Sequence, residues 1–226
     1  MAVAGSITAL FLRGFKLNNF TDNFKNKSFE TPSFDVWLLK TTNYSEKMDA
    51  YKDGLAAANQ GLGVYVIPEE SQWTWVAGVY TDEAIAVETL NQCHLSTDTK
   101  VALYQIKGKK FQIRTEAVGS CQRILVAVQN VFYLLLDLRN QINDNYATNN
   151  IQLELTRLLN QIKGCVDELQ KINLTLQSQL IATIIYTANQ NILGLQDVIN
   201  LEMNGKNNLA IVNTALLKII FSLDNF

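Results

Sequence analysis

Two prolines, one histidine and three cysteines are spread over 226 residues, and each scarcity removes a class of function. The one histidine, His94, follows Cys93 directly, and adjacent residues make a poor nucleophile and base because such pairs meet in space from different elements. Cys93, Cys121 and Cys165 have no metal-ligand spacing and are odd in number, so they read as small core residues and not as a disulfide framework. Gly61-Leu62-Gly63 lacks the third glycine of a phosphate-cradling loop and follows a helical pattern, not a strand. Glu69 and Glu70 are consecutive at an expected hairpin tip, where they point apart and stay hydrated, so they do not form the facing carboxylates of a glycosidase. The chain reads as a non-enzyme without metal or cofactor. Nor is one charge sign in excess: 19 Lys and Arg against 21 Asp and Glu leave a net charge of -2. No broad basic face is there to bind nucleic acid, and the cluster of Lys107, Lys109, Lys110 and Arg114 beside Gly108 reads as a solvated turn.

The first segment, AVAGSITALFL, spans about half of what a membrane helix needs and lacks a basic region before it. Residues 1–15 are read as the outer end of a truncated membrane anchor, the alternative being an amphipathic terminus packed on the body. Residues 16–33, rich in Asn, Lys, Thr and Phe and without a period, read as a linker.

What is present begins at residue 34. Phe34, Val36 and Leu38 alternate with Asp35 and Trp37, the period of a half-buried strand. Ser45 offers an N-cap, and Met48, Tyr51, Leu55 and Ala58 recur at helical spacing until Gly61 and Gly63. Two β-rich runs, 64–67 and 73–80, flank a five-residue polar loop, Pro68 to Gln72. Asp82 caps a second helix carrying Ile85, Val87 and Leu90, and a fourth strand covers 101–106. The order βαββαβ predicts an α+β unit: an antiparallel sheet with both helices on one face and the other face bare. Strict alternation turns Val36, Leu38, Val64, Val66, Trp73, Trp75 and Ala77 toward the helices. It turns Asp35, Trp37, Leu39, Tyr65, Thr74, Val76 and Gly78 to the opposite face.

After Arg114 the period changes. No proline occurs from Glu116 onward, and apolar residues recur at three and four. One stripe runs from Cys121 to Leu138, a second from Ile151 to Leu169, a third from Leu176 to Ile199 and a short fourth from Ile211 to Ile220. They predict an antiparallel helical bundle over 115–226, or a long helical hairpin if Asn173-Leu174-Thr175 fails to separate the second and third stripes. The polar positions of this half read as solvation.

Residues 34–114 resemble a SPOR domain, the peptidoglycan-binding module of bacterial division and sporulation proteins. The resemblance is carried by two quasi-repeated halves, VWLLKTTNYSEKMDAYKDGLAAA and WTWVAGVYTDEAIAVETL. In the second, Gly78, Val79 and Tyr80 followed by Glu83-Ala84 match the family's Gly-Pro-Phe turn and following Glu-Ala. It implies that the open sheet face binds glycan strands freed of stem peptides, through Asp35, Trp37, Leu39, Tyr65, Thr74 and Val76, with Trp37 and Tyr65 as stacking platforms. Trp37 stands where the family usually has Gln, and Thr74 where it usually has Arg or another polar residue. Recognition has then shifted toward stacking, or the face is covered. An anchor, a linker, one such domain and a helical region are together similar in layout to stage II sporulation protein B proteins. That likeness implies an extracytoplasmic protein of the division or sporulation septum, anchored to the cytoplasmic membrane, whose helices meet septal or engulfment proteins. The alternative is a structural interaction protein whose SPOR-like unit has lost glycan binding and packs against the bundle through Trp37, Leu39, Tyr65 and Val76.

Overall fold

The computed structural model describes residues 26–31, 33–93, 95, 98–143, 149–176, 178–199 and 206–224. The anchor expected over 1–15 and the first part of the expected linker lie outside the described residues, as does His94. The architecture is α+β: strands β1 (Asn26–Glu30), β2 (Phe34–Tyr44), β3 (Tyr65–Glu69), β4 (Gln72–Tyr80), β5 (Thr99–Ile106) and β6 (Lys110–Arg114) precede a helical region. Helices α1 (Lys47–Ala57) and α2 (Glu83–Gln92) belong to the sheet unit, while α3 (Thr115–Asn143), α4 (Asn149–Leu176), α5 (Gln179–Ile199) and α6 (Lys206–Asp224) form the bundle.

The main sheet has the order β3-β4-β2-β5, every pair antiparallel. With α1 and α2 as its crossovers this is the split βαβ arrangement, and both helices lie on one face. Asp82 caps α2 as expected, its side chain accepting from the N–H groups of Ala84 and Ile85 at 2.7 and 3.2 Å. Ser45 does not cap α1; the cap position is Glu46, without a side-chain hydrogen bond. The polar loop after β3 is shorter than the sequence suggests. Pro68 and Glu69 pair with Trp73 and Gln72, leaving Glu70 and Ser71 as a two-residue turn with Glu70 at φ 52. Pro68 is tolerated because β3 is an edge strand.

Helix α1 meets the sheet with its small side chains. Ala50, Gly54 and Ala57 are buried, while Met48, Tyr51 and Leu55, the residues whose spacing suggested a core stripe, are exposed. The reason is volume. Tyr44, Trp73 and Trp75 of the sheet already fill this layer, and a Cβ on Gly54 would stand 2.8 Å from Trp75 Nε1.

Two further strands lie outside the expected sheet. Residues 26–30, within the expected linker, pair antiparallel with 110–114, within the expected solvated turn. Each strand buries one side chain, Phe29 and Ile113, and Thr31 joins them by exchanging main-chain and hydroxyl hydrogen bonds with Lys109. One inward residue per strand leaves no periodic signal, and the partners lie about eighty residues apart.

The bundle forms as expected, with α4 and α5 separate and folded back on one another. Helix α4 runs through Asn173-Leu174-Thr175 to Leu176, and α5 begins at Gln179. Ser178 stands just before it, its Oγ accepting from Ile181 N–H at 3.4 Å, and Asn173 Oδ1 reaches forward to accept from Ser178 N–H at 2.8 Å. Helix α3 is long and apolar enough, by length and composition, to cross a bilayer; a little over half of its most apolar window is buried within the fold.

Candidate functional site

The face of the sheet away from α1 and α2 is not bare. Val36, Leu38, Val76 and Val79 share one continuous core with α3, α4, α5 and α6. Tyr65 stacks flat on Phe221 of α6, ring centres 4.9 Å apart, and Phe34 packs on Phe132 of α3 at 5.8 Å. Each such buried side chain contributes about 1.5–3 kcal/mol by leaving water. Main-chain groups at the seam are satisfied across it. Asn213 Nδ2 donates to Gly61 O at 2.8 Å, and Val64 N–H donates to Thr214 Oγ1 at 2.9 Å. At the end of α6, the Tyr104 hydroxyl donates to Asp224 Oδ2 at 2.6 Å; burial first, and then this bond, hold the phenol well above its ordinary pKa.

The six residues expected to form a glycan face do not share a face. Tyr65 and Val76 lie under the bundle, Val76 fully buried. Thr74 is buried on the same side and donates to Glu69 Oε2 at 2.9 Å. Trp37 and Leu39 pack on the opposite side, in the core beneath α1 and α2, with Leu39 fully buried. Asp35 is exposed beside Gln105 at 3.4 Å. A β-bulge is the cause. The register of β2 on β4 steps from Leu39–Gly78 to Lys40–Val76, leaving Ala77 as an extra residue. Trp75, Ala77 and Tyr80 therefore share one side, while Val76 and Val79 share the other. Trp37, opposite Tyr80, is carried to the helix side, and strict alternation places the whole of the first half of β2 on the wrong faces. The bulge also frees the carbonyl of Ala77, which accepts from Gly63 N–H at 2.6 Å.

Glu69 and Glu70 also differ from expectation. Glu70 is exposed, but Glu69 accepts from Lys40 Nζ at 2.6 Å as well as from Thr74. Burial alone would raise the Glu69 pKa; the hydrogen bonds from Lys40 and Thr74 and the charges of Lys40 and Lys100 outweigh it, and the carboxyl sits below its ordinary value. Cys121 and Cys165 are buried between α3 and α4, and burial, reinforced by the Cys165 thiol, pushes the Cys121 thiol up to about 12.

A second place in the molecule has the makings of a site. A cavity of about 520 Å³ opens between α2, the turn after α1, the C-terminal half of α3 and the start of α6. Arg139 stands in its wall, 7% exposed. Its Nη1 donates to Val79 O at 2.7 Å and to Asn213 Oδ1 at 3.5 Å, and its guanidinium lies 4.7 Å from the centre of the Tyr80 ring. From sequence alone the polar residues of the bundle read as solvation, and Arg139 has no assigned role. A signal was present: Arg139 stands four residues after Leu135 and three before Ile142, on the buried stripe of α3, where a charged residue is out of place. Among the described residues no three His, Cys, Asp or Glu side chains gather as a metal centre.

Compared with known proteins, the chain matches no family model, no curated protein and no solved structure.

Proposed function

We propose that this chain is a structural interaction protein, non-enzymatic, in which the SPOR-like unit no longer reads glycan and is closed by its own helical bundle. The observation that supports this reading is the covered sheet face: Tyr65 is stacked on Phe221, Val76 is fully buried under α6, and Trp37 has turned to the other side of the sheet. Glycan recognition of the SPOR kind needs that face open. What stays exposed is the outer side of α1, with Met48, Tyr51 and Leu55 at helical spacing. Such a stripe suits contact with another protein. The resemblance of residues 34–114 would place such a body outside the cytoplasmic membrane at the division or sporulation septum, among septal or engulfment proteins.

The test is sedimentation of the whole chain with purified peptidoglycan sacculi, with and without amidase treatment to strip stem peptides. The expected result is no cosedimentation in either case. Binding that rises with stripping and falls in Trp37→Ala would restore the glycan-reading alternative and refute this one.

A further inference from the structure

Among the described residues Arg139 is a buried cation without a counter-ion. None of the ion pairs among the described residues includes it, and its Nη1 is held only by neutral acceptors. A buried charge left unpaired is costly and is retained where something compensates it. Its other donors point to what that is. Among the described residues Nε and Nη2 have no acceptor, and Arg139 lines the cavity. Desolvation draws the guanidinium pKa below its ordinary value while Tyr80 opposes that shift. Arginine nevertheless stays charged under ordinary conditions.

The rest of the wall restricts the occupant. Tyr80 and Leu62 present apolar surface, and Asn140 presents a carboxamide that both donates and accepts, while the carboxamides of Gln92 and Asn213 are engaged with Glu88 and with Gly61 and Arg139. Among the described lining residues Glu88 is the one acid, opposed by the one cation, Arg139. A dianion such as a phosphate ester would meet Glu88 with a surplus negative charge, whereas a single carboxylate balances the guanidinium and fits its planar fork at two points. The volume is in the range of small-molecule sites.

We propose that this cavity binds a small monocarboxylic acid bearing hydroxyl or amide groups, its carboxylate bridging the Nε and Nη2 of Arg139. The inference goes beyond the interaction reading and does not depend on it.

The experiment is calorimetric titration and thermal unfolding of the full chain with lactate, gluconate and N-acetylglycine. Glucose serves as the uncharged control, inorganic phosphate as the dianion and sodium chloride as the ionic-strength control. At least one acid is expected to bind saturably and raise the unfolding temperature, with glucose, phosphate and sodium chloride giving no comparable shift. Arg139→Lys keeps the charge but loses the fork and should weaken binding by about tenfold or more. Glu88→Gln, on the exposed side of α2, should tighten it. No response to any of the three acids beyond that of matched sodium chloride overturns the proposal, as does equal affinity in a folded Arg139→Lys protein. Where Arg139→Lys does not fold, Glu88→Gln decides: unchanged or weaker binding overturns the proposal.

Discussion

Replacing Gly63 with alanine tests the closure of the sheet by α6 with a single methyl group. A Cβ at Gly63 would lie 2.9 Å from Leu217 Cδ1, 3.0 Å from the main-chain carbon of Asn213 and 3.1 Å from Ala77 O. Two of these neighbours are backbone, one on α6 and one on the bulged strand, so neither yields by a rotamer change. Overpacking of this kind costs about 1–3 kcal/mol. Alanine also restricts the unfolded chain, returning about 0.4–1 kcal/mol, so the net effect runs from roughly zero to a loss of about 2.6 kcal/mol. For a chain of this size that lowers the unfolding midpoint by up to about 10 °C, with no stabilisation. Gly119→Ala and Gly164→Ala supply the opposite sign. Both glycines are in helices, and a Cβ there meets nothing within 4 Å, so each substitution should stabilise by about 0.8–1 kcal/mol. Denaturant unfolding followed by circular dichroism at 222 nm measures all three. If Gly63→Ala behaves like Gly119→Ala, α6 does not lie against the 61–64 turn as described, and the argument for a covered face fails with it.

Other substitutions follow from single positions. Glu70→Gly relieves the positive φ at the β3–β4 turn and should stabilise by up to about 1 kcal/mol; a fall in the unfolding midpoint would contradict the turn geometry. Leu55→Glu, on the exposed side of α1, should change stability by no more than about 0.5 kcal/mol, whereas a loss of several would return Leu55 to the core. For Glu69 the sign is that of a depressed carboxyl: its stabilising contribution is present above the ordinary value of 4.5 and is lost as pH falls through the lowered folded value. The stability gap between wild type and Glu69→Gln should therefore be widest at neutral pH and close in acid; a gap that widens below pH 4.5 would refute the Lys40–Glu69–Thr74 arrangement.

The element order and the bundle were legible because they rest on signals that local sequence carries: the periods of 2 and 3.6, the Asp82 cap, and the glycines at 61 and 63. The faces of the sheet were not. A bulge inserts one residue and reverses everything beyond it, and nothing in Trp73-Thr74-Trp75-Val76-Ala77-Gly78 marks Ala77 as the extra one. Gly78 is the nearest hint, since a glycine within a strand pattern commonly accompanies a bulge. The α1 stripe misled for a different reason. Spacing identifies which residues share a face of a helix but not which face meets the sheet; that was decided by Trp73 and Trp75, whose bulk leaves room only for Ala50, Gly54 and Ala57.

Closure of the sheet and the buried arginine follow from the same local event. The bulge at Ala77 turns its carbonyl out of the ladder toward Gly63 and places Val79 with the bundle core, while the Val79 carbonyl is left for Arg139. Once Val76 and Val79 both face away from α1 and α2, that side of the sheet is apolar over two adjacent strands and needs cover, which α6 supplies with Phe221, Leu217 and Ile220. Covering it draws α3 close enough for Arg139 to reach β4, and the space between α2 and the bundle remains as the cavity that Arg139 lines. A SPOR-like sheet without the bulge would keep Trp37 with Val76 on its outer face and would have no site for this arginine. Deleting Ala77 should therefore reverse the sidedness of β4 beyond it and break the Arg139–Val79 contact together. A deletion variant that folds and retains tryptophan fluorescence and acid binding identical to wild type would separate the two features and refute their common origin.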